Sequence, residues 1–210
     1  NAIIGLTDVL LISLDEIDVV KLQKTLENIK GSSQQAHELL ENLLMWARTQ
    51  TGSIVYRPEP VDLCAQAEQS IELVAVQAAR KNINIVSEFT SCGLINGDVN
   101  MMSTILRNLL TNALKFTPRN GEVRVEISKN DGFCIFSVKD NGIGIPPERL
   151  KYLFSIDTAH KTRGTDQEPG TGLGLILCKE FIEKHGGYLE VESESGKGSE
   201  FRVIIPGKSE

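Results

Sequence analysis

Residues 140–145 read Asp-Asn-Gly-Ile-Gly-Ile, and residues 170–175 read Gly-Thr-Gly-Leu-Gly-Leu. Glycine at this density costs backbone entropy, so each cluster must serve a tight turn or a close approach. Asp140 ends an apolar run, and a carboxylate at a strand end can accept a hydrogen bond from an exocyclic amine such as adenine's. Gly142 and Gly144 would let backbone approach a base. The plain alternative is an Asp-Asn-Gly turn. The second cluster, Gly170, Thr171, Gly172, Leu173 and Gly174, opens a helical stretch. Free N–H groups and the positive end of a helix dipole suit phosphate there, and Thr171 adds a hydroxyl. The cluster is not a Walker A loop, having no Gly-Lys-Ser/Thr, and no strand precedes it as in a dinucleotide fingerprint. Alone, it is equally an unremarkable flexible turn.

A third group lies between Arg107 and Thr117. Asn108, Asn112 and Lys115 fall at i, i+4 and i+7, so they share one helical face, while Leu109, Leu110, Ala113 and Leu114 take the other. Two amides and an ammonium can hold hydrated Mg²⁺ and a triphosphate, since amide oxygens are hard ligands. A solvated face is the plain alternative, yet asparagine is a poor helix former and is used twice.

These groups need elements to position them. Residues 99–116 read as a strongly apolar helix ended by Thr117-Pro118. Asp62 is a plausible N-cap for a helix running to about Lys81. Residues 53–62 look like a short strand and linker, and 91–100 like a turn-rich connection. Alternating runs at 82–89, 122–128, 133–140, 188–193 and 200–206 predict strands, with Asn130-Asp131-Gly132 as a hairpin turn. A short helix begins at Pro146-Pro147. Residues 155–169 lack an apolar period and form a polar loop long enough to suspect function. A helix over 171–185 closes at Gly186-Gly187. The order predicts a two-layer α/β sandwich, with a mixed, mostly antiparallel sheet and helices on one face.

An all-α hairpin precedes it, so the division expected is 1–52 and 53–210. Leu22, Leu26, Ile29, Ser33, Ala36, Leu40, Leu43 and Ala47 follow alternating spacings of four and three, a seam broken only by Ser33. They predict a helix from about residue 20 to 51, stopped near Gly52. Residues 2–12 form a preceding antiparallel helix, with residues 13–18 as the turn. Two helices cannot bury such a seam, so a second copy completing a four-helix bundle is expected. Packing on the chain's own second domain is the alternative.

The chain has 210 residues, 40% hydrophobic and 24% charged, with net charge −6. That is globular composition, and its acidic balance argues against a nucleic-acid binder. Cys64, Cys92, Cys134 and Cys178 are scattered without a paired spacing, which suggests free thiols in a reducing compartment. No apolar run has the length of a membrane span.

In this order the motifs resemble the kinase core of a two-component sensor histidine kinase, with its GHKL-type ATP-binding fold. Residues 108–118 are similar to the N box, 140–145 to the G1 box and 170–175 to the G2 box. Gly196–Phe201 resembles the closing glycine turn. Tyr152-Leu153-Phe154 resembles the F box, with Phe154 alone of its two usual aromatics. The likeness covers 52–206, and residues 1–51 resemble the dimerisation and histidine-phosphotransfer hairpin.

The resemblance implies that Asp140 hydrogen-bonds the adenine amine, with Gly142 and Gly144 shaping the base pocket and Ile145 and Phe116 as its apolar walls. Asn112 ligates Mg²⁺, Asn108 lies toward the metal and phosphates, and Lys115 faces phosphate or ribose. Residues 155–169 form a lid over ATP, with Lys161 and Arg163 as phosphate contacts. Gly170, Thr171, Gly172, Leu173 and Gly174 close on the phosphate tail, and Ser199 helps hold adenine. The activity implied is transfer of the ATP γ-phosphoryl to a histidine and on to an aspartate of a response-regulator receiver domain. The partners are ATP, that receiver domain and a second copy of the chain through residues 1–51. The place implied is cytoplasmic, including the cytoplasmic part of a membrane-anchored sensor. The family's phosphoacceptor is expected shortly before Asn1, and His37, His160 and His185 stand elsewhere, so this chain is expected to bind Mg·ATP without labelling itself. Related ATP hydrolases place a glutamate base where Asn108 stands, and an amide cannot take a proton from water. A serine kinase of the same fold and a non-catalytic dimerisation or regulator-docking module are the other readings.

Overall fold

The computed structural model describes residues 2–12, 18–90, 94–155, 163–166, 168, 170 and 172–207. The first part is helical: α1 spans Ala2–Ile12 and α2 spans Val19–Gln50, with α1 packed on α2. Gly52 at φ +65° ends α2, a left-handed position that suits glycine. The expected turn between the helices lies mostly outside the described residues. The seam is only partly covered. Leu22 and Ile29 are half-buried, while Leu26, Leu40 and Leu43 are exposed. An apolar groove lined by Val19, Leu22 and Leu26 runs along the start of α2.

The second part alternates strands and helices. These are β1 (Glu59–Asp62), α3 (Leu63–Lys81), β2 (Asn84–Phe89), β3 (Leu94–Gly97), α4 (Val99–Phe116), β4 (Glu122–Asn130), β5 (Phe133–Asp140), α5 (Pro147–Leu150), α6 (Gly174–Lys184), β6 (Tyr188–Glu194) and β7 (Gly198–Pro206). The main sheet has the order β2-β4-β5-β7-β6. Only β2 and β4 pair in parallel, so the sheet is mixed and mostly antiparallel as expected. Helices α3, α4 and α6 cover one face.

Two elements differ from the sequence reading. The connection before α4 contains β3, which pairs antiparallel with β1 in a second, two-stranded sheet. Its Leu-Ile-Asn-Gly run is too short to stand out by apolar alternation, although Ile95 and Gly97 are both buried. Helix α6 begins at Gly174 rather than 171, because Gly172 at φ +77° cannot continue a right-handed helix. Elsewhere the local signals hold. Asp62 caps α3, its carboxylate accepting from the Cys64 and Ala65 N–H groups. Asp98 does the same for α4 through Asn100 and Met101. Asp131 and Gly132 both take positive φ in the β4–β5 hairpin.

The core is the contact between α4 and the sheet. Met102, Ile105, Leu106, Leu109, Leu110 and Leu114 of α4 are fully buried against Val123, Val125, Phe136, Val138 and Val203. Each such side chain contributes about 1.5–3 kcal/mol by leaving water. The opposite face of α4 carries Asn108, Asn112 and Lys115, all half-buried. One helix therefore uses its apolar stripe to fix its polar stripe. Cys134 and Cys178 are buried and Cys64 is half-buried, none of the three in a disulfide, while Cys92 lies outside the described residues.

Candidate functional site

The site surrounds the carboxyl end of α4. Asp140 closes β5, paired with Val123 on one side and Ser199 on the other. Its side chain is 6% exposed and accepts the Gly142 N–H at 2.8 Å. Burial pushes its carboxyl up from the ordinary 3.8 to about 6, opposed by the N–H groups of Gly142 and Ser199. No salt bridge reaches it among the described residues. At neutral pH it is a charged, nearly dry acceptor at the end of a strand.

Gly142 and Gly144 are required by the protein's own backbone. A Cβ at Gly142 would stand 2.3 Å from the Phe116 carbonyl oxygen, and one at Gly144 (φ +64°) would stand 2.0 Å from the Glu194 oxygen. From the sequence alone these glycines are expected to admit the approach of a base. The structure adds a stronger reason, since the turn is pressed between α4 and the β6–β7 hairpin. The Ile143 N–H bonds the Phe116 carbonyl at 3.1 Å, and the Gly196 N–H bonds the Ile143 carbonyl at 2.7 Å. The Ile145 N–H donates to Ser193 Oγ, which lies 2.9 Å from Ser199 Oγ. Ile145 packs on the core. Ser199 is buried, and its contacts are Asp140 backbone pairing and Ser193.

At the other end, Gly174 begins α6 against Asn108, whose Oδ1 would be 2.7 Å from a Cβ there. Leu173 and Gly170 are half-buried, and Gly172 is exposed. The Lys115 ammonium lies 4.9 Å from the Phe116 ring centroid. Phe154 lies beneath the Lys179 ammonium at 5.7 Å. Arg163 is exposed, whereas Lys161 and Thr171 lie outside the described residues. The fold thus places the Asp140 turn and Ser199 at the carboxyl end of α4, and the start of α6 against Asn108, midway along the same helix.

The family model of histidine kinase-, DNA gyrase B-, and HSP90-like ATPases matches residues 97–209. The chain belongs to that ATPase family. Within it, the chain is similar to sporulation kinase C of Bacillus subtilis (strain 168), at 34% identity over 174 residues. That match covers 82% of this chain and 38% of that kinase, so the chain spans under two fifths of that relative. Among solved structures it resembles full-length ShkA in complex with AMPPNP, with TM-score 0.74, 27% identity, and coverage of 94% of this chain and 41% of that one. It also shares the fold of histidine kinase ThkA, solved in complex with the response regulator TrrA. There the TM-score is 0.77 at 21% identity, covering 99% of this chain and 58% of that one.

This member of the ATPase family also uses residues that the motifs do not include. Lys81 is 4% exposed, and its ammonium lies among oxygens of Leu114, Lys115, Thr165 and Glu168. A signal existed in the sequence: Ser70, Val74, Ala78 and Lys81 share the buried stripe of α3. His185 is also buried, accepting the Asp98 N–H at Nε2 (3.0 Å), with Nδ1 2.6 Å from the Phe181 carbonyl oxygen. Tyr56 meets its ring edge-on at 5.1 Å, which ties the segment after α2 to the second part. A single histidine at a helix end gave no hint of this.

Proposed function

We propose that the chain is the ATP-binding core of a sensor histidine kinase. In this reading it binds Mg·ATP and presents the γ-phosphoryl to a histidine, which passes it to an aspartate of a response-regulator receiver domain. Asp140 carries the reading. A buried carboxylate raised to about 6, with backbone donors and no cation beside it among the described residues, is suited to a ligand that brings a neutral N–H. An adenine amine is such a donor, and the AMPPNP complex of ShkA supports an adenine nucleotide.

Asp140 would orient the base, with Ile145 and Phe116 as apolar walls and Ser199 holding Asp140's edge of the sheet. Asn108, Lys115, Arg163, Lys161 and the Gly170–Gly174 turn would receive the phosphates. The residues fit magnesium held mainly by phosphate. No group of three histidine, cysteine or carboxylate side chains among the described residues could bind a metal, while Asn112 offers one amide oxygen beside the expected phosphates. When bound, magnesium would neutralise charge on the triphosphate. The chain's own part is orientation and charge placement, which is most of what phosphoryl transfer requires.

The division into a helical part (1–52) and an ATP-binding part (53–210) belongs to this proposal, as does a homodimer through the exposed α2 seam. A receiver domain as partner draws support from the ThkA–TrrA complex. No helix of the described residues is long and apolar enough to cross a membrane. A cytoplasmic setting, including a cytoplasmic part of an anchored sensor, is part of the proposal. Titration calorimetry with ATP, with and without Mg²⁺, tests the reading. Magnesium-enhanced binding is expected. Absence of nucleotide binding at millimolar concentration would reject it.

A further inference from the structure

We infer that Lys81 is a positioning residue for the phosphate end of the nucleotide site, acting through the last turn of α4. The inference rests on the nucleotide reading above. A helix ends with carbonyls that have no intrahelical donor. Here they collect donors from both walls of the site. Lys81 Nζ lies 2.7 Å from the Leu114 oxygen and 3.1 Å from the Lys115 oxygen. The Thr165 N–H also reaches the Lys115 oxygen, at 3.0 Å, and the Ile143 N–H takes that of Phe116. Thr165 Oγ1 bonds the Thr117 oxygen at 2.9 Å.

The same ammonium holds Thr165 Oγ1 at 2.7 Å and Glu168 Oε1 at 3.0 Å. Glu168 in turn accepts the Asp166 N–H, and its carbonyl accepts the Gly164 N–H. Gly164 leaves no room for a side chain, since a Cβ would stand 2.7 Å from the Lys115 oxygen. Arg119 adds an exposed pair with Asp166 at 2.7 Å. The described part of the polar loop is therefore docked on the turn that bears Lys115. An ion pair between buried Lys81 and half-buried Glu168 adds little as stability alone, because desolvating the ammonium offsets much of the attraction. What it specifies is register: Lys81 fixes the Lys115 backbone, Thr165 and Glu168 in one geometry.

The prediction separates phosphate from base. In the full chain, Lys81→Met should weaken Mg·ATP about tenfold while changing AMP by less than about twofold, because charge-assisted contacts to the docking turn are lost. Thr165→Val removes the hydroxyl bonds without stranding a buried charge and should act in the same direction. Lys81→Met combined with Glu168→Leu should recover thermal stability but not ATP affinity. Equal losses for ATP and AMP, recovery of ATP affinity in the double variant, or no loss in any variant would overturn the assignment. A wild-type chain that binds neither nucleotide would instead reject the nucleotide reading itself.

Discussion

The Asp140 carboxylate accepts the Gly142 N–H at 2.8 Å, and Gly142 in turn lies where any Cβ would be 2.3 Å from the Phe116 carbonyl oxygen. Strand end, turn and helix end are thereby locked together, and the carboxylate is held dry. Its folded pKa, about 6, lies above the ordinary 3.8. A raised carboxyl favours folding below pH 3.8, and that contribution is lost as pH rises to about 6. At neutral pH the nucleotide-free chain therefore carries a charge that costs it on the order of 3 kcal/mol.

Asp140→Asn should accordingly stabilise the free chain at pH 7, by about 1–3 kcal/mol, while removing most nucleotide affinity. Urea unfolding and calorimetry on the same samples check both halves. Wild-type affinity should also fall as pH drops through 6, a limb that the variant lacks. Unchanged affinity in the variant would end the adenine assignment.

The glycines should divide by what surrounds them. Gly142→Ala must displace the Phe116 carbonyl and should cost at least about 3 kcal/mol, with nucleotide binding lost. Gly172→Ala meets nothing within 4 Å, so only its positive φ of +77° is strained, at about 1 kcal/mol. Thermal unfolding of the two variants measures the contrast, and equal costs would contradict the close approach at Gly142.

Much of this was legible in the sequence, because the signals were local. The asparagine face of α4 follows from helical spacing, and Asp62 and Thr117-Pro118 mark helix ends by their own chemistry. Position in the chain sufficed for Asp140, which ends an apolar strand. What stayed hidden depends on partners distant in sequence. Strand β3 exists through pairing with β1, across the whole of α3. The crowding at Gly144 comes from Glu194, on another hairpin. Lys81 lay on an apolar stripe, but its meaning required Thr165 and Glu168, more than eighty residues away.

His185 gives a second pH effect, opposite in sign to that of Asp140. Burial lowers its pKa below the ordinary 6.5, against the Phe181 hydrogen bond and the Asp98 charge, which raise it. A depressed histidine contributes stability above 6.5, and this is lost as pH falls through its folded value. Protonation would turn Nε2 toward the Asp98 N–H as a second donor. The Asp98 carboxylate and the Tyr56 ring are the other groups facing it. Between pH 7 and 5.5, His185→Phe should lack the fall in stability that histidine protonation gives wild type as pH drops, leaving the opposite slope of Asp140. It should also be less stable at pH 7 by about 1–3 kcal/mol, since the Asp98 N–H loses its acceptor. Urea unfolding across that range decides it, and parallel profiles would exclude histidine as the source.

The exposed seam of α2 makes the last prediction. Leu26 and Leu40 are 51% and 54% exposed, although both stand in the repeating apolar register. Leaving such a stripe in water forfeits the burial that would justify it, and a second copy of the same helix matches its spacing. The α2–α6 contact, with Gln50 Nε2 donating to Glu180 Oε1 at 3.1 Å, lies at the far carboxyl end and covers neither leucine. The wild-type chain should therefore sediment as a dimer at micromolar concentration, and Leu26→Glu with Leu40→Glu should sediment as a monomer. Nucleotide affinity should stay within about twofold, because the charged substitutions act by opposing helix association rather than by touching the second part. A monomeric wild type at these concentrations would instead favour a different occupant of the seam.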